Sequence, residues 1–511
     1  MRMTRGFFTV GFWTLASRIL GFLRDVLIAA YLGTGPAHQA FVAAFTLPNL
    51  FRRFFAEGAF NMAFVPMFSK KLESGEDPQG FASDAFAGLA AIVIVLTVIA
   101  QMVMPWLIWA QVSGFAGTEK FDLAVDYGRV AFPYIVFISL AALLSGVLNA
   151  ARHFAAAAAA PVLLNVVFIG AILFAAAAGY NIADALIWAI PVGGVAQLTL
   201  VWYAAAKAGF PIRLRRPRFT PDLKRLAIIA GPAALAGGVV QINLLVGRQV
   251  ASQFDKAVSW LYNADRLYQL PLGVVGIAIG IVLLPELSRR LAAEDHDGGR
   301  DAFSRAGEFA LMLTIPSAVA LVFFSLPLVE VLFQRGAFTI DDTANTALAV
   351  AIYGLGLPAF VLQKVIQPLY FAREDTKSPF YYALVAMVVN AALAVGLSPW
   401  IGFYAAAVAT TIAGWAMFFL LWAGSRKMGE VARFDARFRK RAWRICLASA
   451  AMCAWLWMTM LLIQPMFGYN GWRYLALLIL ITSGMLSYGI AGHLFGAFRL
   501  SELKSSVRRG G

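Results

Sequence analysis

Cysteine, histidine and charge are all scarce in this chain of 511 residues. The two cysteines, Cys446 and Cys453, sit seven positions apart on one predicted helix. Their Cα atoms then lie about 10 Å from each other, too far for a disulfide, so a cross-linked scaffold is excluded. The four histidines, His38, His153, His296 and His493, are scattered without metal-ligand spacing, and neither a metal nor another cofactor is expected. Charged residues make up 14% of the chain, against about 25% in an ordinary soluble domain. Acids are the rarer sign, 27 against 42 basic residues, for a net charge of +15.

What is abundant is apolar. Hydrophobic residues reach 61% and mean hydropathy is +0.74, more than any soluble core can hide. The fold class is therefore an all-α polytopic membrane protein. A crossing helix needs about 20 mostly apolar residues. Fourteen segments qualify: 7–31, 39–68, 84–110, 124–149, 155–178, 184–206, 226–251, 258–287, 306–328, 343–371, 380–398, 401–424, 443–464 and 472–496. The first is read as a span and not a signal peptide, because Arg18, Arg24 and Asp25 interrupt it and no small-residue cleavage site follows.

Basic residues set the orientation. With both termini on one side, that side holds 30 of the 42 Lys and Arg. The other holds about five, Lys120, Arg129, Lys256, Arg335 and Arg473. Both termini are expected in the cytoplasm. Arg213, Arg215, Arg216, Arg218, Lys224 and Arg225 fill one cytoplasmic loop, and Arg433 to Arg444 fill another. These clusters read as topology signals in contact with membrane lipids. No nucleic-acid motif accompanies them.

The chain also echoes itself. Phe64-Val65-Pro66-Met67-Phe68-Ser69-Lys70-Lys71-Leu72 recurs 219 residues later as Leu283-Leu284-Pro285-Glu286-Leu287-Ser288-Arg289-Arg290-Leu291. Leu47-Pro48 returns as Leu270-Pro271 at an offset of 223, and Leu164-Asn165 as Val389-Asn390 at 225. The shared offset spans six helices, an even number, so two parallel six-helix lobes are expected, as in transporters whose site lies at a repeat interface. The lobes are 1–210 (helices 1–6) and 211–440 (helices 7–12), followed by 441–511 with helices 13–14 and a cytoplasmic tail.

Seven cations fall inside the expected spans: Arg18, Arg24, Arg52, Arg53, Arg248, Arg266 and Lys364, accompanied by Asp25, Glu57 and Asp265. Each costs about 2.5–3.5 kcal/mol at mid-bilayer, so seven facing lipid cost roughly 17–25 kcal/mol. Most must face protein or a wet cavity. Arg18 and Asp25, seven apart, share a helix face, and Arg53 and Glu57, four apart, can pair. Pro48 and Pro66 permit bends. Ion pairs holding helices together account for some of these charges but leave a surplus of cations. Guanidinium groups in surplus suit a phosphate, which accepts two parallel hydrogen bonds from each.

The residues carry a family resemblance. Ser17-Arg18-Ile19-Leu20-Gly21-Phe22-Leu23-Arg24-Asp25, Leu47-Pro48-Asn49-Leu50-Phe51-Arg52-Arg53, Phe55-Ala56-Glu57-Gly58-Ala59-Phe60, Tyr262-Asn263-Ala264-Asp265-Arg266-Leu267 and Arg373-Glu374-Asp375-Thr376-Lys377-Ser378-Pro379 resemble segments of the MurJ (MviN) lipid II flippases of the MOP transporter superfamily. The resemblance runs from helix 1 to helix 14. It implies transport of lipid II, the undecaprenyl-diphosphate-linked peptidoglycan precursor, between the leaflets of the bacterial inner membrane, with cell-wall synthesis proteins as possible partners. It further implies that Arg18, Arg24, Arg52, Arg53 and Arg266 line a central cavity with Glu57 and Lys364, and that the last two helices form a groove for the lipid tail. With Asp265 these residues are the candidate substrate site; Asp25, Pro48 and Pro66 support it. Two departures stand out. Gln39 occupies a position that is acidic in many relatives, and spans 7 and 11 contain Asn243 and Asn390 but no carboxylate for sodium.

Two rival functions fit less well. One is another exporter of the same superfamily, for a polysaccharide-linked lipid or as a drug or cation antiporter; the antiporter calls for buried carboxylates. A membrane glycosyltransferase calls for a general base and an acidic or histidine cluster on longer outer loops. No catalytic activity is expected.

Overall fold

The computed structural model describes residues 2–52, 59–373, 375–469 and 471–498. Arg53 and Glu57 lie outside the described residues. The described residues form helices and connecting turns without strands, and two compact units emerge.

The first unit comprises Met1–Ser259 with Arg335–Phe338. It contains α1 (Arg2–Leu32), α2 (Pro36–Arg52), α3 (Ala59–Ser74), α4 (Pro78–Met102), α5 (Met104–Gln111), α6 (Glu119–Ala131), α7 (Tyr134–Ala150), α8 (Phe154–Ala178), α9 (Ile182–Lys207) and α10 (Pro221–Ala251). Local chemistry sets their ends. Asp77 caps α4 by accepting from Gly80 N at 2.9 Å, with Pro78 at the first helical position, where a missing N–H costs nothing. Asn181 caps α9, and Thr220 ahead of Pro221 caps α10. Gly179, at φ 74°, ends α8.

Proline also divides spans that were expected to be continuous. Span 3 breaks into α4 and α5 ahead of Pro105, and span 4 into α6 and α7 at Pro133. Each ring removes a helical hydrogen bond and crowds the preceding turn. Pro48, by contrast, is buried within α2, and Pro66 is exposed within α3. The core of this unit is a stack of Phe64, Phe68, Phe81 and Phe86 against Leu143, Leu144, Val147 and Val201. α1 packs along α8, and α8 along α9. The 335–338 segment joins this unit because Ala337 N donates to Ala30 O at 2.9 Å. That approach requires glycine on both sides. A Cβ on Gly33 (φ 59°) meets Ala337 O at 2.4 Å, and one on Gly336 (φ 57°) meets Ala30 O at 2.1 Å.

The second unit comprises Trp260–Gln334 and Thr339–Gly511. α11 (Ala257–Ala292) begins at the boundary, followed by α12 (His296–Phe323), α13 (Ser325–Phe333), α14 (Ile340–Phe371), α15 (Lys377–Ile401), α16 (Tyr404–Ser425), α17 (Ala436–Phe467) and α18 (Trp472–Leu494). α14 starts with a capping box: Thr339 Oγ1 accepts from Asp342 N at 3.2 Å, and Asp342 Oδ2 accepts from Thr339 N at 2.9 Å. α14 packs on α12, α13 and α16. α17 and α18 pair with each other through Met452, Leu456, Ala476 and Leu480, with Phe324 and Ile463 in the same cluster.

Among the described residues, ten segments are long and apolar enough to cross a bilayer. The four other expected spans fall on α1, on α2 with α3, on α10 and on α11. The compact units divide the chain at Ser259, whereas the expected lobes divide it at the repeat boundary near 210. One division follows packing and the other sequence similarity.

Candidate functional site

The candidate cations are spread over both units. On α1, Arg24 is 8% exposed and Asp25 3%. Arg24 donates from Nε and Nη2 to Asp25 Oδ1 at 3.0 and 2.8 Å. Its remaining terminal nitrogen, Nη1, donates to Asn165 Oδ1 on α8 at 2.9 Å. Asn165 Nδ2 in turn donates to the Ser17 carbonyl at 3.0 Å. The guanidinium carbon also stands 5.3 Å from the centre of the Phe168 ring, a favourable cation–π placement. A charge this deep persists only with a counter-charge and hydrogen-bond partners, and each of the three Arg24 nitrogens has a partner.

Face-sharing on α1 suggested Arg18 as the partner of Asp25; the pair in the structure is Arg24 with Asp25. Seven residues of helix amount to about 10 Å, whereas the adjacent guanidinium folds directly onto the carboxylate. Arg18 is half-buried, with no ion pair or hydrogen bond among the described residues. Arg52 is half-buried at the end of α2. Arg248, on α10, donates to Gln111 Oε1 at 3.3 Å, and Gln111 Nε2 donates to the Ala43 carbonyl at 2.8 Å. Gln39 is fully buried and donates to the Thr34 carbonyl at 3.2 Å. Nearby, in the loop after α10, Asp255 pairs with Lys120, whose ammonium holds the carboxyl below the usual carboxylate range. Gln39 adds a smaller contribution in the same direction.

In the second unit, Asp265 and Arg266 are half-buried on α11. Gln269 donates to Asp265. The Arg266 guanidinium lies over the Tyr262 ring at 4.4 Å. Lys364 is an exposed position on α14 between buried Leu362 and Val365, with no ion pair among the described residues. The first unit thus gathers Arg24, Asp25 and Asn165. Asp265 and Arg266 are neighbours on their own helix, and Lys364 stands apart on another.

Asn165 escaped the sequence reading as a site residue. Two signals pointed to it: it is a polar residue in the long apolar run of its span, and it recurs as Asn390 in the second repeat.

The arrangement is that of a helical membrane transporter with positioned interior cations. An inward-facing multidrug resistance MATE family transporter of the MOP superfamily shares the fold at a TM-score of 0.70 and 14% identity, covering 82% of this chain and 96% of that one. A closer likeness is to a solved lipid II flippase MurJ in an inward closed conformation. It has a TM-score of 0.79 and 28% identity, over 95% of this chain and 98% of the other. The family model described as lipid II flippase MurJ matches residues 28–482. A probable lipid II flippase MurJ of Rhizobium tropici is 43% identical, covering 100% of this chain and 97% of that protein. The lipid II flippase MurJ of Burkholderia cenocepacia is 37% identical, covering 84% and 85% respectively. The chain belongs to the MurJ lipid II flippase family.

Proposed function

We propose that this protein moves lipid II from the cytoplasmic to the periplasmic leaflet of the inner membrane by alternating access, without a catalytic step. Fourteen crossings with both termini cytoplasmic frame a cationic cavity. Arg18, Arg52, Arg53, Arg266 and Lys364 attract the diphosphate; Arg24, held by Asp25 and Asn165, contributes only its place in the cavity wall, and Glu57 and Asp265 keep neighbouring cations oriented. The lipid tail runs outside, along α17 and α18. Binding stays moderate, because a ligand held equally in both states shifts neither and one held too tightly in a single state stalls there.

The observation that carries this reading is the contrast on α1. Arg24 is fixed by an acid, an amide and a ring. Arg18, two turns away, has no acid partner among the described residues and keeps its donors for a ligand. The test is to replace Arg18 or Arg266 by Glu and measure headgroup accessibility at the outer leaflet in cells depleted of the native protein. Restored accessibility at the native level overturns the proposal.

A further inference from the structure

Two basic clusters of comparable size lie at helix ends, around 213–225 and 433–444, and the structure treats them oppositely. In the second, Arg433 pairs with Glu430 at 2.8 Å, while Arg437 and Arg441 reach Glu308 at 3.6 and 3.2 Å. Arg444 donates to the Gly496 carbonyl at 3.2 Å. Its guanidinium groups are largely engaged inside the unit.

The first cluster is built the other way. Residues 210–220 run without helix from the end of α9 to the start of α10. Pro211 and Pro217 interrupt any helical path. The inner edge of this strap is fixed at four points. Gln79 donates to the Pro211 carbonyl at 2.8 Å, and Ile212 is buried in the phenylalanine core. Arg213 N donates to Ser83 Oγ at 3.2 Å, and Arg215 pairs with Asp84 at 3.4 Å. The outer edge is left bare. Arg213, Arg216 and Arg218 are exposed, and no acid occurs between Gly209 and Pro221. Between these arginines stand Leu214, 78% exposed, and Phe219, 99% exposed.

A phenylalanine left wholly uncovered beside three free guanidinium side chains is unfavourable in water. It suits a surface that is anionic outside and apolar a few ångströms deeper. The strap lies at the end of two apolar helices, where headgroups are. We propose that the 210–220 strap is a docking surface for anionic phospholipids. Arg213, Arg216 and Arg218 take the phosphates, and Leu214 and Phe219 enter the acyl boundary. Because the backbone is already pinned, little ordering opposes docking.

The test uses the full-length protein in nanodiscs of phosphatidylcholine alone or with one-third phosphatidylglycerol, read by hydrogen–deuterium exchange of the peptide covering 208–222. Phosphatidylglycerol is expected to slow exchange there by about tenfold and to leave the 433–444 peptide unchanged. The slowing disappears in the Arg213→Gln/Arg216→Gln/Arg218→Gln variant and weakens in Leu214→Ser/Phe219→Ser; Arg215 is left intact to preserve the strap. Equal exchange in both lipids overturns the proposal, as does protection that survives the triple variant. Protection arising only on addition of soluble cell extract assigns the strap to a protein partner and overturns it equally. No arm contains lipid II, so the result is independent of the transported cargo.

Discussion

Arg24 on α1 and Arg305 on α12 are both partly or fully buried arginines engaged with carboxylates, yet their surroundings differ in kind. Arg24 has one acid, one amide oxygen and one aromatic face. Arg305 is shared among Glu308, Asp435 and Asp301, and Glu308 also receives Arg437 and Arg441. Within an apolar span each further charge costs several kcal/mol, so Arg24 is matched to a single acid and its third nitrogen donates to a neutral group. At a helix end reached by water, charges cluster freely and act as a tether between α12 and α17. Arg18 and Lys364, inside expected spans, have no such matching among the described residues.

The comparison can be broken most directly at Asp25. Asp25→Ala leaves the Arg24 guanidinium buried without its counter-charge, and a loss of about 3–5 kcal/mol is expected, read as a lowered midpoint of thermal unfolding in detergent. Glu308→Ala is expected to cost clearly less in the same assay, because Arg305 keeps Asp435 and Asp301. Equal losses remove the distinction between the two regions.

Arg18→Gln is the complementary case. Unfolding is expected to stay within about 0.5 kcal/mol of the parent, while lipid II translocation falls roughly tenfold or more, as for loss of a hydrogen bond to a charged group. A destabilised Arg18→Gln with normal transport makes the residue structural. Next in size is Asn165→Leu, which strands one Arg24 donor without an acceptor. A loss of about 1–3 kcal/mol is expected, and Asn165→Asp should recover part of it.

The smallest effect is expected at the exposed Asp255–Lys120 pair. The folded carboxyl titrates below its unfolded value, so its contribution is complete above the unfolded pKa and is lost as pH falls through the lowered folded one. Amide exchange in the 113–120 turn should therefore be flat from pH 7 to about pH 5 after correction for intrinsic rates, and should quicken only below about pH 4. Asp255→Asn should abolish that acid dependence.

Much of the helical plan was legible in the sequence because hydropathy acts over some twenty residues at once. Every expected span falls on a helix or a pair of helices among the described residues, and ten of them are long and apolar enough to cross a bilayer.

 The breaks were harder to place. Pro105 and Pro133 divide spans, while Pro161 and Pro191 sit inside unbroken helices, because the neighbouring packing decides whether a lost hydrogen bond opens into a bend. The site was legible as a set of residue types in the wrong environment. Its pairings were not, since Asp25 chose the adjacent Arg24 and Arg24 chose an asparagine 141 positions away.

By itself, the sequence determined that this chain is helical, spans a membrane many times and resembles the lipid II flippases, with more cations than acids inside its expected spans. Those properties are sums over composition, period and motif, and they survive any rearrangement of neighbours. Only the tertiary structure decided which cation is held and which keeps its donors, and which basic cluster is engaged internally and which faces outward. Those outcomes depend on distances of about 3 Å between particular side chains, some adjacent and some, like Arg24 and Asn165, 141 positions apart, and composition and period do not encode them.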